Sequence, residues 1–327
     1  MKRAHVIGTG SYLPEKVLTN FDLEKIVDTS DEWIVERSGI HERRIANEDE
    51  TTSTLAINAA QKAIEDAKIT PEDVDCLIVA TNSPDNIFPA TAGYVQRALK
   101  IPDAMGFDIQ AGCTGFVYAL QIATSFIEAE RYKTVLVIAS EALTRITDWQ
   151  DRTTCVLFGD GSGAMVLRAG DDDSRGVLNS YARITGDKAE SLIVPSGGSR
   201  MPTTEETARN RMQYVKMNGK DIFKFSIGAI GDATKKVLNK AGISIEDVNW
   251  FIPHQANIRI INFAAKTFKI PNDKIVVTLD KYGNTSSASI PIAIDELRRS
   301  GKAKEGDLLL LVAFGAGLTY GASLVKL

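Results

Sequence analysis

Three cysteines and three histidines carry most of the readily nucleophilic, acid–base or metal-binding chemistry in this 327-residue chain. Cys113 stands between two glycines in DIQAGCTGFVYAL, after an alternating run and before a helical pattern. A thiol at a helix N-terminus meets unpaired amides and the positive dipole end, which lower its pKa and favour the thiolate. A small apolar cysteine also serves as plain filler at such a junction. Cys76 (DCLIVA) and Cys155 (TTCVLF) lie inside apolar strand patterns and read as core. His254 follows the apolar WFIP, which places it at the carboxyl end of a buried strand, where open α/β sheets bind their ligands. A structural histidine is the competing reading there. His5 falls in the first expected strand and reads as structural; His41 lies among charges and reads as solvated. Histidines so dispersed make no metal site, and none is expected. Asn284, in KYGNTSSASIPIAIDEL, precedes a helical pattern and fits either an active-site amide or an N-cap.

The elements that must position these residues come in two similar sets. KAIEDAKITPEDVDCLI (62–78) aligns with KVLNKAGISIEDVNWFI (236–252), each a helix, an acidic turn and a buried strand. GCTG (112–115) falls over GNTS (283–286), each followed by a helical pattern and a strongly apolar strand, VLVIA or LLLLVAF. FGDGSGAMVL (158–167) resembles FGAGLTYGASLV (314–325) with two residues inserted. Three matches in one order predict two α/β halves about a pseudo-twofold axis, 1–172 and 173–327, with an acidic turn (DDDS, 171–174) between them. Residues 185–217, poorly periodic, read as an insertion in the second half. Equivalent positions near such an axis approach one another. Cys113 and Asn284 are repeat partners, and His254 ends the strand matching LIVAT, so thiol, imidazole and amide are expected to converge on one site.

Composition, 44% hydrophobic and 24% charged, is an ordinary globular balance. A formal charge of −4 offers no basic excess to neutralise phosphates, so nucleic acid is not an expected partner. Three separated cysteines make no disulfide framework and suit a reducing compartment. MKRAHVIGTGSYLP is interrupted by Gly8, Gly10 and Pro14 and does not read as a signal peptide. LLLLVAF at 308–314 is too short to span a bilayer. A soluble, cytoplasmic protein is expected.

Over essentially its whole length the chain resembles the thiolase-fold condensing enzymes, and within them the β-ketoacyl-acyl-carrier-protein synthase III family of bacterial fatty-acid initiation. The resemblance rests on GTGSYLP, TSDEWIVERSGIHERRIA, AGCTGF, RTTCVLFGDG, IPHQAN, YGNTSSAS and FGAGLTYGA taken together. It implies an αβαβα thiolase-like fold, a homodimer, and a Cys113–His254–Asn284 triad acting on an acyl-CoA and malonyl-acyl-carrier protein. It implies no metal or redox cofactor. The backbone amides of Cys113 and Ala316 would form the oxyanion hole. Where the family closes on three glycines after Phe, this chain reads FGAG, and alanine keeps the amide. The nucleotide end of coenzyme A maps onto Trp33, Arg37 and Arg152, with Thr29 nearby, and the pantetheine channel onto Gly219, Phe223, Ala256 and Asn257. Arg259 matches a basic residue that docks the acidic carrier protein. Phe88 matches one that reaches across the dimer to shape the acyl pocket.

Related chemistries leave different marks. Chain-elongating condensing enzymes pair the cysteine with two histidines, and His5 and His41 are poorly placed for a second. Degradative thiolases carry a second cysteine near the C-terminus, and none follows residue 155. Plant-type polyketide synthases share the triad but are longer. A starter-unit condensing enzyme of a specialised polyketide pathway shares this chemistry, and a non-catalytic acyl-CoA-binding relative shares the scaffold.

Overall fold

The computed structural model describes residues 2–327. Two sheets form around strands that are apolar on both faces. The first contains β1 (Arg3–Tyr12), β2 (Cys76–Ala80), β3 (Met105–Ile109), β4 (Thr134–Glu141) and β5 (Gly161–Gly170), in the order β1-β5-β4-β2-β3. The second contains β6 (Gly176–Ile184), β7 (Trp250–Pro253), β8 (Leu308–Gly315) and β9 (Thr319–Lys326), in the order β7-β8-β9-β6. β2 runs parallel to β4, and β5 antiparallel to both β4 and β1. β7 runs parallel to β8, and β9 antiparallel to both β8 and β6. The two sheets thus share one topology. β3 has only a single counterpart in the second sheet, a parallel bridge between Phe251 and Ile275.

Period-two alternation assigns each strand residue to a layer. Cys76, Ile78 and Ala80 face inward with Val135, Val137 and Ala139, while Leu77, Val79, Leu136 and Ile138 face an outer layer. Between the sheets lie α4 (Gly115–Glu128) and α7 (Ser289–Arg299). α4 is apolar nearly all round, with Phe116, Leu120, Ala123 and Ile127 fully buried; α7 buries Ala293 and Ile294 and carries Glu296, Arg298 and Arg299 towards its end. α2 (Thr52–Asp66) and α3 (Thr91–Leu99) cover the first sheet. α5 (Gly219–Ala241) and α6 (Ile258–Phe268) cover the second. The result is the expected αβαβα sandwich, with α4 and α7 bringing their N-termini into the middle. Among the described residues, no helix is long and apolar enough to cross a membrane.

Cys155 departs from its expectation. It lies in a turn, not a strand, buried against Leu23, Ile34 and Ile40. Its apolar neighbours in sequence pack under α1 (Asp31–Ser38) instead of pairing with a sheet. The 185–217 segment holds only short pieces, including a two-residue strand pair and a helix over Glu205–Arg209.

Candidate active site

Cys113 sits at the end of the β3–α4 connection, one residue before the Thr114 cap of α4. Gly112 there has φ +57, a left-handed conformation that glycine adopts freely. The cysteine is buried and faces a cavity of about 410 Å³. Two chain segments meet at its mouth with no room for side chains. A Cβ on Gly112 would lie 2.5 Å from the Ala316 amide nitrogen, and one on Gly315 would strike the Cys113 backbone. These glycines bring the amides of Cys113 and Ala316 to one edge of the cavity, which both residues line. Ala316 lies outside the left-handed region, so the alanine in FGAG carries no backbone strain. The Thr319 hydroxyl clips the junction, 2.7 Å from Ala111 O and 2.9 Å from Ala316 O.

The segment 284–289 ties the remaining residues to this thiol. Asn284 Oδ1 accepts from the Ser286 amide at 2.8 Å, so its side chain braces a turn and does not cap α7. The backbone of Asn284 is held between Leu157 and Gly159, at 2.8 and 3.1 Å. Ser286 places its hydroxyl 3.3 Å from Cys113 Sγ. Three residues on, Ser289 Oγ lies 2.8 Å from His254 Nδ1. His254 follows β7, is 2% exposed, and stands edge-on to Phe314 at 5.4 Å between ring centroids. Phe314 precedes the Gly315 that abuts Cys113, so the last two residues of β8 both touch the site.

Electrostatics here follow burial. His254, without a charged partner, is pushed down to about 3 and is a neutral imidazole at pH 7. Cys113 moves opposite to its sequence expectation. Burial pushes the thiol up to about 12; the Ser286 hydroxyl pulls back and the nearby Glu141 carboxylate adds to the rise. The sequence pattern shows the helix terminus but not the depth at which it is buried.

The cavity extends from Cys113 past Leu143, Ile146 and Phe158 to Leu192, Ile193 and Val215, an apolar wall partly contributed by the 185–217 segment. Asp148 anchors that wall, meeting Arg211 at 2.6 Å and Lys216 at 3.1 Å. The Arg211 contact, with Lys216, holds the Asp148 carboxyl well below the usual range. The sequence reading did not find Asp148, Ser286, Ser289 or Glu141. A glutamate ending the apolar run VLVIASE was the available signal.

A second group of expected residues assembles on the surface. The guanidiniums of Arg37 and Arg152 lie 5.9 and 5.2 Å from the Trp33 ring centre. Arg152 is held by Asp28 O at 2.7 Å. Thr29 presents a buried hydroxyl without a hydrogen-bond partner among the described residues. Asn257 caps α6 by accepting from Arg259 N and donates to Arg37 O at 2.9 Å, which joins the helix after His254 to this cluster. Gly219 opens α5 and Phe223, one turn on, is 40% exposed. Ala256 is half-buried and Arg259 exposed. Phe88 stands apart, 83% exposed beside the equally bare Ile87, and does not line this chain's cavity. No cluster of three or more His, Cys, Asp or Glu with metal-holding geometry occurs among the described residues.

Comparison with known proteins follows this geometry. Residues 107–186 match the family described as 3-oxoacyl-(acyl-carrier-protein) synthase III, and residues 238–327 match the C-terminal part of that family. A β-ketoacyl-(acyl-carrier-protein) synthase III from Caldanaerobacter subterraneus subsp. tengcongensis is 52% identical over 323 residues, covering 99% of this chain and 97% of that one. The crystal structure of a 3-oxoacyl-(acyl-carrier-protein) synthase III from Aquifex aeolicus superposes with TM-score 0.91 at 47% identity, over 99% of this chain and 100% of that one. The priming β-ketosynthase of a polyketide biosynthetic pathway superposes with TM-score 0.92 at 33% identity, over 100% and 97%.

Proposed function

The chain belongs to the β-ketoacyl-acyl-carrier-protein synthase III family, and on that premise we infer that it condenses an acyl-CoA, acetyl-CoA foremost, with malonyl-acyl-carrier protein. The product is a 3-oxoacyl-carrier protein that starts a fatty-acid chain. The observation that carries this reading is the thiol of Cys113 in an apolar cavity, beside the close-packed amides of Cys113 and Ala316.

The steps follow from the residues. Cys113 Sγ attacks the thioester carbonyl as it gives up its proton; the C–S bond to coenzyme A breaks, and the thiol of coenzyme A takes a proton. The two amides receive the oxyanion, an arrangement in which losing one donor costs about 3 kcal/mol. Malonyl-carrier protein then enters. Its carboxylate leaves as carbon dioxide, and the bonding electrons become an enolate on the thioester. His254 and Asn284 donate hydrogen bonds to that oxygen. The enolate carbon attacks the acyl-cysteine, forming the new C–C bond and releasing Cys113. A neutral imidazole suits this role. In this reading Ser289 Oγ, which accepts from Gln255 N at 3.3 Å, gives its own hydrogen to Nδ1 at 2.8 Å, and Nε2 carries the proton that is donated. Chemistry so written uses coenzyme A thioester as substrate and requires no metal or redox cofactor.

Around this centre, Thr29, Trp33, Arg37 and Arg152 hold the nucleotide end of coenzyme A, supported by the two guanidiniums over one indole. Gly219, Phe223, Ala256 and Asn257 line the pantetheine arm. Arg259 docks the acidic carrier protein, and Phe88 enters the acyl pocket of a homodimeric partner. The chain divides into halves 1–172 and 173–327, supported by the shared sheet topology and the turn at 171–174. It works in the cytoplasm. A specialised polyketide starter role is the second reading, favoured by the likeness to the priming ketosynthase.

Mass spectrometry after mixing with acetyl-CoA tests the acyl-enzyme: an acetyl adduct on Cys113 is expected, and its absence favours a non-catalytic binding protein. His254→Ala is expected to abolish malonyl decarboxylation while leaving part of the Cys113 acylation. Equal loss of both sinks that division of labour. Competition among acyl-CoAs of different length and branching separates the fatty-acid and polyketide readings.

A further inference from the structure

Glu141 ends β4 inside the molecule, fully buried and with no ion pair among the described residues. Four donors converge on its carboxylate. Asn82 N and Ser83 Oγ reach Oε2 at 3.0 and 2.8 Å; Asn82 Nδ2 and Ser287 Oγ reach Oε1, both at 2.7 Å. Burial raises the pKa of this carboxyl, and the bonds from Ser287, Asn82 and Ser83 work against that rise by favouring the ionised form. A buried charge held only by neutral donors is costly to keep, which calls for a role.

The donors lead to the nucleophile. Asn82 Nδ2 carries two hydrogens: one goes to Glu141, and the other to Ser286 Oγ at 3.1 Å. Because Glu141 accepts from both the main-chain and side-chain nitrogens of Asn82, the amide is locked with its NH2 group toward Ser286. Ser286 Oγ then already accepts a hydrogen bond, and its own hydrogen is left for Cys113 Sγ, 3.3 Å away. Ser286 itself is held at φ +48, a left-handed conformation uncommon for a residue with a side chain and frequent at functional sites. Ser287, from the same turn, is tied directly to Glu141. The carboxylate thus grips the turn at two points.

We propose that Glu141 is a positioning residue which, through Asn82 and Ser287, aims the Ser286 hydroxyl at the Cys113 sulfur so that the forming thiolate receives a hydrogen bond. Ser286 touches the reacting atom and Glu141 does not. The carboxylate's negative charge opposes a thiolate nearby, and the orientation it imposes outweighs that opposition. The proposal rests on Cys113 being the acyl-accepting nucleophile.

The test is the rate of Cys113 alkylation by iodoacetamide against pH, in the full-length protein. Ser286→Ala and Glu141→Gln are each expected to slow alkylation about tenfold at a given pH, equivalent to moving the profile up by about one unit. The double variant is expected to fall no further than Ser286→Ala alone, since Glu141 acts through that hydroxyl. Asn82→Ala, which keeps the carboxylate and its bond to Ser287 but removes the donor to Ser286, is expected to slow alkylation in the same direction and serves should Glu141→Gln fail to fold. Alkylation by Glu141→Gln or Asn82→Ala at or above the parent rate overturns the proposal, as do multiplying losses in the double variant. The acetyl adduct keeps the two readings apart. No adduct on Cys113 in the parent protein removes the nucleophile itself, whereas an adduct with unmoved alkylation rates removes only the role of Glu141.

Discussion

Burial pushes the Cys113 thiol up to about 12, so at pH 7 the thiol form dominates. In the proposed reaction the thiol ionises only as the thioester carbonyl arrives and its charge passes to the amides of Cys113 and Ala316. Alkylation of Cys113 is therefore expected to rise about tenfold per pH unit from 7 to 9 without levelling. A plateau in that range would mean that the helix terminus alone sets the pKa, which is what the local sequence suggested. The neighbouring histidine makes a stability prediction. His254 is lowered from 6.5 to about 3 on folding, so the unfolded chain binds its proton first. The contribution of the neutral imidazole is complete above pH 6.5 and is lost as pH falls toward 3, by up to about 1.4 kcal/mol per unit. Asp160, buried and pushed up to about 6, works in the opposite sense below that pH, so the comparison must be internal. Urea unfolding at pH 7 and pH 5 should show a smaller drop for His254→Gln than for the parent protein. Equal drops would contradict a buried neutral imidazole.

At the level of elements, the site depends on how closely the β3–α4 connection meets the β8–β9 turn. Gly112 lies against the Ala316 backbone and Gly315 against the Cys113 backbone, where no Cβ fits, and the proposed oxyanion amides depend on that approach. Gly315→Ala forces the two segments apart; about 1–3 kcal/mol of stability should go, and acyl transfer should fall about 100-fold. Thermal unfolding and single-turnover acylation check this, and an active, stable Gly315→Ala would mean that the amides are not set by this contact. The GCTG and FGAG motifs were legible because glycines mark tight approaches locally. The 185–217 wall was not, because its order comes from Asp148 meeting Arg211 and Lys216 across more than 60 residues of sequence. Asp148→Ala leaves both cations without that partner. Limited proteolysis should then cut within 189–217 faster than in the parent protein, and longer primers should compete better with acetyl-CoA. Unchanged cleavage would show the wall is held by its apolar contacts alone. Glu141 escaped sequence reading for the same reason as Asp148: its meaning lies in donors from β2's exit and from the 286–287 turn, which meet only after folding.

At the scale of the whole molecule, the repeat was the most legible feature, since buried strands and the helices between them leave regular apolar signatures in both halves. Pairing with a second copy was read only from the repeat and the resemblance. Phe88 and Ile87 are 83% and 82% exposed, and a phenylalanine left in water forgoes roughly 2–3 kcal/mol of burial. β3, at the edge of the first sheet, pairs on one side only and has Met105 exposed. Open edges and bare aromatics are features that a second copy would cover. If Phe88 shapes the partner's acyl cavity, its effect must act between subunits. Phe88→Ala should alter primer preference among acyl-CoAs while sedimentation still reports a dimer. A mixed dimer with a Cys113→Ala subunit supplies the decisive arm. Only the Phe88→Ala subunit can react there, and its cavity receives Phe88 from the inactive partner, so the parental primer preference should return. A mixed dimer that keeps the altered preference would place the action of Phe88 within its own chain.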